Sequence, residues 1–386
     1  MIFAPPTLDT RERSVIERVA LVRGSLQYAI RAVPQRWTGL LRRNTLARAV
    51  QGSNSIEGYN VSIEDAIAAG ADQDPLEADE ESWAAVRGYQ EAMTYIMTLS
   101  DDPHFRYSTD LLRSLHYMML NYDLSKHPGR WRPGPIYVRD EAKDAIVYEA
   151  PNAEVAPPLM DELREGLDEN DSTPPLVRAA MAHLNLVMIH PFSDGNGRMA
   201  RALQTLVLAR TGTLAPPFSS IEEYLGRNTR AYYDVLAEVG RGKWQPRNDA
   251  RAWVRFCLRA HFFQATTLLR RSREIERLWN LLEVELDKTG LPDRLLFALA
   301  EAAMGLRVRN ATYRPAVDVS LQVAGRDLRL AAEAGFLIAH GERRGRFYRA
   351  APRLLQIREQ TRESKAIADP FEGPGPEVME LPGLGS

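Results

Sequence analysis

Apolar positions recur along most of the chain at the three- and four-residue spacing of a helix face. Such runs pass through Trp83, Val86, Tyr89, Met93 and Ile96, through Leu159, Met160, Leu163 and Leu167, and through Met199, Leu203, Leu206 and Val207. They predict helices from Ser82 to Leu99, from Pro157 to Leu167, and up to a stop at Gly212. Further helices are expected from Arg11 to Val33, Gln35 to Glu57, Thr109 to Leu120, Pro174 to Ile189, Ser220 to Val239 and Asp249 through Asn280. The pattern changes twice. Between His127 and Ala156, proline and glycine punctuate two short β-prone pieces, Ile136–Val138 and Ile146–Tyr148, which read as a hairpin in helical surroundings. From 291 to 350 a helix (Arg294 to Met304), a helical turn near Tyr313, a helix (Ser320 to Ala334) and an alternating stretch across Gly341 to Gly345 predict three helices and a second hairpin. Residues 362–386 carry prolines among glycines and acids without an apolar period and read as a disordered tail. The fold class is mainly α.

At 386 residues the chain is long enough for two or three domains. Its 49 basic and 51 acidic residues give a net charge of −2, so any nucleic-acid surface must be local. Such an asymmetry exists: residues 291–350 hold ten arginines against six acids. The single cysteine, Cys257, excludes an internal disulfide, and the first residues show no basic region followed by an apolar run. The most apolar stretch, Leu176 to Ile189, falls short of the ~20 residues a membrane helix needs. A cytoplasmic protein with no membrane partner is expected.

The sharpest chemistry lies in HPFSDGNGRMAR, His190 to Arg201, between an apolar helix and an amphipathic one. A loop that ends in Gly-Asn-Gly and opens a helix presents unpaired backbone N–H groups at the positive end of the helix dipole, which favours an anion. Gly195 and Gly197 let a phosphate approach the backbone. Asp194 suits Mg²⁺ shared with phosphate oxygens, and Arg198 and Arg201 supply charge-assisted donors. His190, with an ordinary pKa near ~6.5, suits proton acceptance. Singly, each has a plainer role: a capping histidine, a turn-forming aspartate, solvated arginines. Together they point to phosphoryl or nucleotidyl transfer.

This segment resembles the Fic family signature HPFxDGNGRxxR. Its nine fixed residue types match by chance on the order of 10⁻¹² per start position. The resemblance extends over roughly residues 40–260 and implies a Fic-type helical bundle whose β-hairpin is a target-docking flap. It also implies transfer of AMP from ATP to a Ser, Thr or Tyr hydroxyl of a target protein, or of the chain itself. His190 would be the base and Asp194 the ligand of Mg²⁺ or Mn²⁺. Gly195, Asn196 and Gly197 would form the anion hole, Arg198 and Arg201 would hold the β- and γ-phosphates, and Tyr232, Tyr233 and Leu236 would wall the adenine pocket. The Doc-like branch has lysine at the position of Gly197, so that chemistry is not implied here.

Upstream, Ser53-x-x-x-Glu57-Gly58 ends a helical stretch and places Ser53 and Glu57 on one face. It is similar to the family's S/TxxxE(G/N) inhibitory motif, which implies a Glu57–Arg201 ion pair supported by Ser53. In some relatives the same glutamate orients water for AMP removal, an alternative activity. The C-terminal block resembles a winged-helix-like α+β module, with Arg326 and Arg329 on its recognition helix and Arg343, Arg344 and Arg346 on its wing. DNA contact there would favour a second alternative, a DNA-binding regulator in which the core is a sensor. The expected organisation is a helical region at 1–106 with the inhibitory helix at about 42–58, a catalytic core at 107–265, a connecting helix at 266–290, the winged-helix-like module at 291–352, and a helix end and tail at 353–386. The expected partners are a target protein on the flap (about 130–150), DNA or protein at the C-terminal module, and a second copy of the chain.

Overall fold

A computed structural model describes residues 1–31, 37–71, 73–140, 144–168, 171–212, 215–342 and 345–372. The chain divides into two compact units. The first comprises Met1–Gln27, Leu46–Thr266 and Ile367–Ser386, and the second Tyr28–Thr45 and Thr267–Ala366.

The first unit draws on helices α1 (Thr10–Arg31), α2 (Thr38–Ile56), α3 (Ile63–Gly70), α4 (Glu80–Leu99), α5 (Thr109–Leu120), α6 (Ala156–Asp168), α7 (Pro175–Ile189), α8 (Asn196–Ala209), α9 (Pro216–Ser219), α10 (Glu222–Arg227), α11 (Thr229–Gly240) and α12 (Arg251–Thr289). Side-chain oxygens start three of them: Ser62 accepts from the Asp65 amide, Asp79 from Ser82 and Ser108 from Leu111, each satisfying an otherwise orphaned donor. Helix α7 is apolar all round and buried along nearly its whole length, packed on α8, as a central helix must be. The predicted hairpin is present as β1 (Tyr137–Asp140) and β2 (Ala145–Glu149), antiparallel, with a register shift between Val138 and Arg139. Tyr148 anchors it by donating to the Met188 carbonyl at 2.8 Å.

The second unit contains α13 (Leu295–Ala303), α14 (Asn310–Ala316), α15 (Leu321–Glu333), the antiparallel pair β3 (Leu337–His340) and β4 (Phe347–Ala350), and α16 (Pro352–Glu359). Val308 adds one bridge to Tyr348. This is the order expected for the C-terminal module. Buried Asp327 on α15 accepts both a bidentate contact from Arg294 and the Tyr313 hydroxyl at 3.1 Å, which ties the three helices at one point.

Four expectations change. The helix expected from Ser220 to Val239 breaks at Asn228 into α10 and α11. Helix α3 carries too short an apolar pattern to have been read. Residues 28–45, assigned above to the N-terminal region, group with the C-terminal unit, where Arg43 pairs with buried Glu301 and lies over the Phe297 ring. The tail is ordered by its charges as far as 372: Glu363 takes Arg273 and Arg277, and Asp369 takes Arg259 at 2.6 Å. Residues 373–386 lie outside the described residues. Among the described residues no helix is long and apolar enough to cross a membrane.

Candidate active site

The end of α7 sets His190. This residue adopts left-handed backbone (φ 53°) as the helix cap, and its amide still bonds to the Leu186 carbonyl at 3.0 Å. Its Nδ1 lies 3.0 Å from the Val187 carbonyl, which can only accept, so Nδ1 carries the proton and Nε2 is left with a free lone pair. Burial holds its pKa below the usual histidine value, with Arg132 adding to the effect. The neutral form is therefore the resting one. Arg132 staples the position from outside: Nε donates to the His190 carbonyl at 2.7 Å, Nη1 to Gly134 at 2.6 Å, and Nη2 to Pro151. The same side chain thus links His190 to both ends of the hairpin.

The loop after His190 is held by its own side chains. Asn196 accepts the Phe192 amide and donates to the Phe192 carbonyl, both at 2.9 Å. Its amide group is committed to the loop, so Asn196 contributes backbone and not a free side chain to any anion hole. Gly195 has φ +75°, and an added Cβ would stand 2.7 Å from Leu120 Cδ1, so only glycine closes this turn. His116 stacks on Phe192 at 3.7 Å between centroids, donates from Nε2 to the Asp194 carbonyl at 2.9 Å and accepts the Gly129 amide at Nδ1. Burial lowers its pKa to about 4, which keeps this brace neutral.

Helix α8 brings the two arginines under the loop, and both are buried. Arg201 Nε donates to Ser53 Oγ at 2.8 Å, and Nη2 donates to the Ser53 carbonyl at 3.0 Å and to Glu57 Oε1 at 2.6 Å. Burial works against its charge, but Glu57 together with the Tyr232 and Tyr89 hydroxyls outweighs that and raises its pKa. Gly197 makes room for the pair: a Cβ there would lie 2.4 Å from Glu57 Oε1. Arg198 packs its guanidinium 5.1 Å from the Tyr59 ring centre and lies 3.9 Å from Asp194 Oδ2. Among the described residues Arg198 Nε and Nη1 and Arg201 Nη1 have no hydrogen-bond partner. Buried donors in that state call for an anion.

No group of three or more His, Cys, Asp or Glu among the described residues could hold a metal. Asp194 is a lone carboxylate beside those unsatisfied donors. That donor set fits Mg²⁺, which keeps several waters and takes one or two carboxylates together with substrate phosphates.

The structure therefore gathers His190, Asp194, Gly195, Gly197, Arg198, Arg201, Ser53 and Glu57. The residues expected to wall the adenine lie on α11, with Tyr232 and Tyr233 close to Arg201 and Glu57. Tyr232 is a core residue whose hydroxyl donates to His183 Nε2 at 2.9 Å, and His183 in turn donates to Gln204 at 2.6 Å. Tyr233 is exposed and donates to the Ile56 carbonyl at 3.2 Å, and Leu236 is half-buried. Arg326, Arg329 and Arg346 are exposed in the second unit, and Arg343 and Arg344 lie outside the described residues. Sequence reasoning missed His116, Arg132, Tyr59 and Lys126. The last offered a signal: it is one of five lysines among 49 basic residues.

Residues 106–208 match the Fic/DOC family. The chain is 30% identical over 176 residues to Protein adenylyltransferase Fic of Nematostella vectensis, covering 45% of this chain and 37% of that protein. It is 36% identical over 130 residues to Protein adenylyltransferase fic-1 of Caenorhabditis elegans, covering 33% and 20%. The matches thus span about a third or less of these relatives. Among solved structures, a Fic family protein from Desulfovibrio desulfuricans G20 superposes with a TM-score of 0.58 at 24% identity, covering 90% of this chain and 98% of that one. Fic-1 from C. elegans gives 0.53 at 23% identity, covering 67% and 72%. These superpositions show the fold.

Proposed function

Since residues 106–208 are a Fic/DOC family domain, we propose that the protein is a protein adenylyltransferase held in an inhibited state. The observation that carries the reading is a neutral histidine with one free nitrogen at the mouth of a loop whose buried arginines retain unsatisfied donors. His190 Nε2 takes the proton of a target hydroxyl, the oxygen bonds to the α-phosphorus of ATP, and the bond to the β-phosphate oxygen breaks to release pyrophosphate. The first-turn amides of α8 and Arg198 stabilise charge that develops on the phosphates. Asp194 would hold Mg²⁺ or Mn²⁺, which supplies charge neutralisation on the phosphates when bound. In the inhibited state Glu57 takes the Arg201 group that the γ-phosphate needs. The β1–β2 hairpin, fixed to His190 through Arg132, would present an extended target segment by strand addition.

Transfer from α-labelled ATP by the Glu57→Gly protein, abolished in Glu57→Gly with His190→Ala, is the expected result. Equal labelling with and without His190 would overturn the reading.

The second unit supports a separate binding role. Two of the six acids in residues 291–350, Glu301 and Asp327, are buried in ion pairs, whereas Arg326 and Arg329 stand exposed on one face of α15. That leaves a basic surface suited to duplex phosphates. DNA affinity that falls steeply with salt and drops in Arg326→Ala with Arg329→Ala is expected; salt-independent binding would exclude phosphate contact.

A further inference from the structure

The segment that carries Glu57 continues into Tyr59, and the same turn places both. Gly58, at φ +88°, reverses the chain, and the Asn54 carbonyl accepts the amides of Glu57 (3.0 Å) and Tyr59 (3.1 Å). Tyr59 therefore cannot shift independently of Glu57. Its ring covers the fully buried guanidinium of Arg198, and its hydroxyl accepts from Lys126 Nζ at 2.8 Å. Lys126 Nζ in turn lies 3.3 Å from Asp194 Oδ2, and 5.5 and 5.4 Å from the ring centres of Tyr59 and Tyr122. The Lys126 and Asp194 side chains are 19% and 38% exposed, so this pair is only partly screened.

Every charged group of the loop that a metal-bound triphosphate would use is thus already engaged: Arg201 by Ser53 and Glu57, Arg198 by Tyr59, and Asp194 by Lys126. The choice of residue is informative. In a chain whose basic residues are nearly all arginine, the one nearest the Asp194 carboxylate is lysine, at 3.3 Å against 3.9 Å for Arg198. Its compact ammonium on a flexible four-carbon stem mimics a small cation and can withdraw, whereas a planar guanidinium would lock on bidentately.

We propose that Lys126 is the stand-in cation of the metal position and that Tyr59 and Lys126 form a second latch, separate from the Glu57–Arg201 pair. This rests on the adenylyltransferase reading above. The latch closes the metal and β-phosphate side of the site, so removal of Glu57 alone opens only the γ-phosphate side. A metal-bound nucleotide enters by displacing the ammonium from Asp194 and the Tyr59 ring from Arg198.

The test measures binding without turnover. Mn²⁺ affinity is read by electron paramagnetic resonance, and ATP affinity by calorimetry in EDTA and in Mn²⁺, for the full chain carrying Glu57→Gly, alone and with Lys126→Met or Tyr59→Ala. Lys126→Met keeps the stem and removes the charge. It should tighten Mn²⁺ and Mn²⁺–ATP about fivefold while leaving ATP affinity in EDTA within twofold. Tyr59→Ala should tighten ATP in both conditions. If Lys126→Met weakens ATP in EDTA, Lys126 is a phosphate ligand and the latch is wrong; unchanged Mn²⁺ affinity with normal ATP binding overturns it equally. If no variant binds ATP, the adenylyltransferase reading falls first and takes the latch with it.

Discussion

Removing the Glu57 carboxylate should destabilise the empty protein and strengthen its hold on ATP together. The pair joins a 1% exposed Arg201 to a 23% exposed Glu57 at 2.6 Å. With charge centres about 4 Å apart and an effective dielectric constant near 20, the attraction is about 4 kcal/mol. Ser53 still holds two of the guanidinium donors after the change, and the desolvation penalty that the quarter-exposed carboxylate carried in the pair disappears with it, so the net cost of leaving Arg201 unpaired is about 2–3 kcal/mol, below the usual loss for a fully buried pair. In Glu57→Gly the melting temperature of the empty protein should fall by about 5 °C. The same 2–3 kcal/mol no longer opposes the γ-phosphate, so ATP should bind about 30- to 150-fold more tightly. Scanning fluorimetry with and without ATP reads both effects, and Glu57→Gln, which keeps a hydrogen-bonding group but loses the charge, should fall between. A melting temperature within 1 °C of wild type and ATP affinity within threefold would show that the ion pair neither stabilises the empty site nor competes with phosphate.

In the Glu57→Gly background, kcat/KM should lose activity on the acid side only below about 6.5, because burial lowers the His190 pKa and the neutral base persists until pH falls through that lowered value; a pH–rate profile with its acid midpoint above 6.5 would contradict this. Arg132→Lys should cut kcat at least tenfold with ATP affinity unchanged, since one ammonium cannot span the three carbonyls of His190, Gly134 and Pro151; wild-type kcat in single-turnover assays would remove Arg132 as a positioning residue. Gly52→Ala would place Cβ 2.5 Å from the Glu222 carbonyl oxygen, backbone that cannot yield, so α2 must lift from α10. Automodification should rise while urea stability falls by about 2 kcal/mol; a variant with wild-type stability and labelling would show that the crossing is not tight.

What the sequence disclosed and what it withheld differ by a physical criterion. Residues whose role follows from a local run were legible. His190 to Arg201 form one twelve-residue segment of loop and helix start, Ser53 and Glu57 are one helical turn apart, and the two hairpins are bracketed by glycine and proline. Residues whose role depends on a distant partner were not. Arg132 and Lys126 sit in a loop without apolar period, and nothing local says that one will reach the His190 carbonyl and the other Asp194. His116 looks like one more position of α5 until Phe192 stacks on it. Tyr232 shows the same limit, since nothing local discloses that its hydroxyl is bound to His183.

The same criterion separates chemistry from control in this protein. The groups that would act on ATP lie within the loop, and the groups that decide whether they are available reach it from far upstream: Glu57 is 144 residues from Arg201, and His116 is 78 from Asp194. Substitution of His190, which makes none of the contacts to Glu57, Tyr59 or Lys126, should therefore remove activity with little effect on how the site is held closed. Substitutions at 52–59 and at Lys126 should change the fraction of molecules able to bind nucleotide while leaving the chemistry of the bound state intact. A variant in the upstream segments that slowed transfer at saturating ATP, without changing ATP affinity, would break that division.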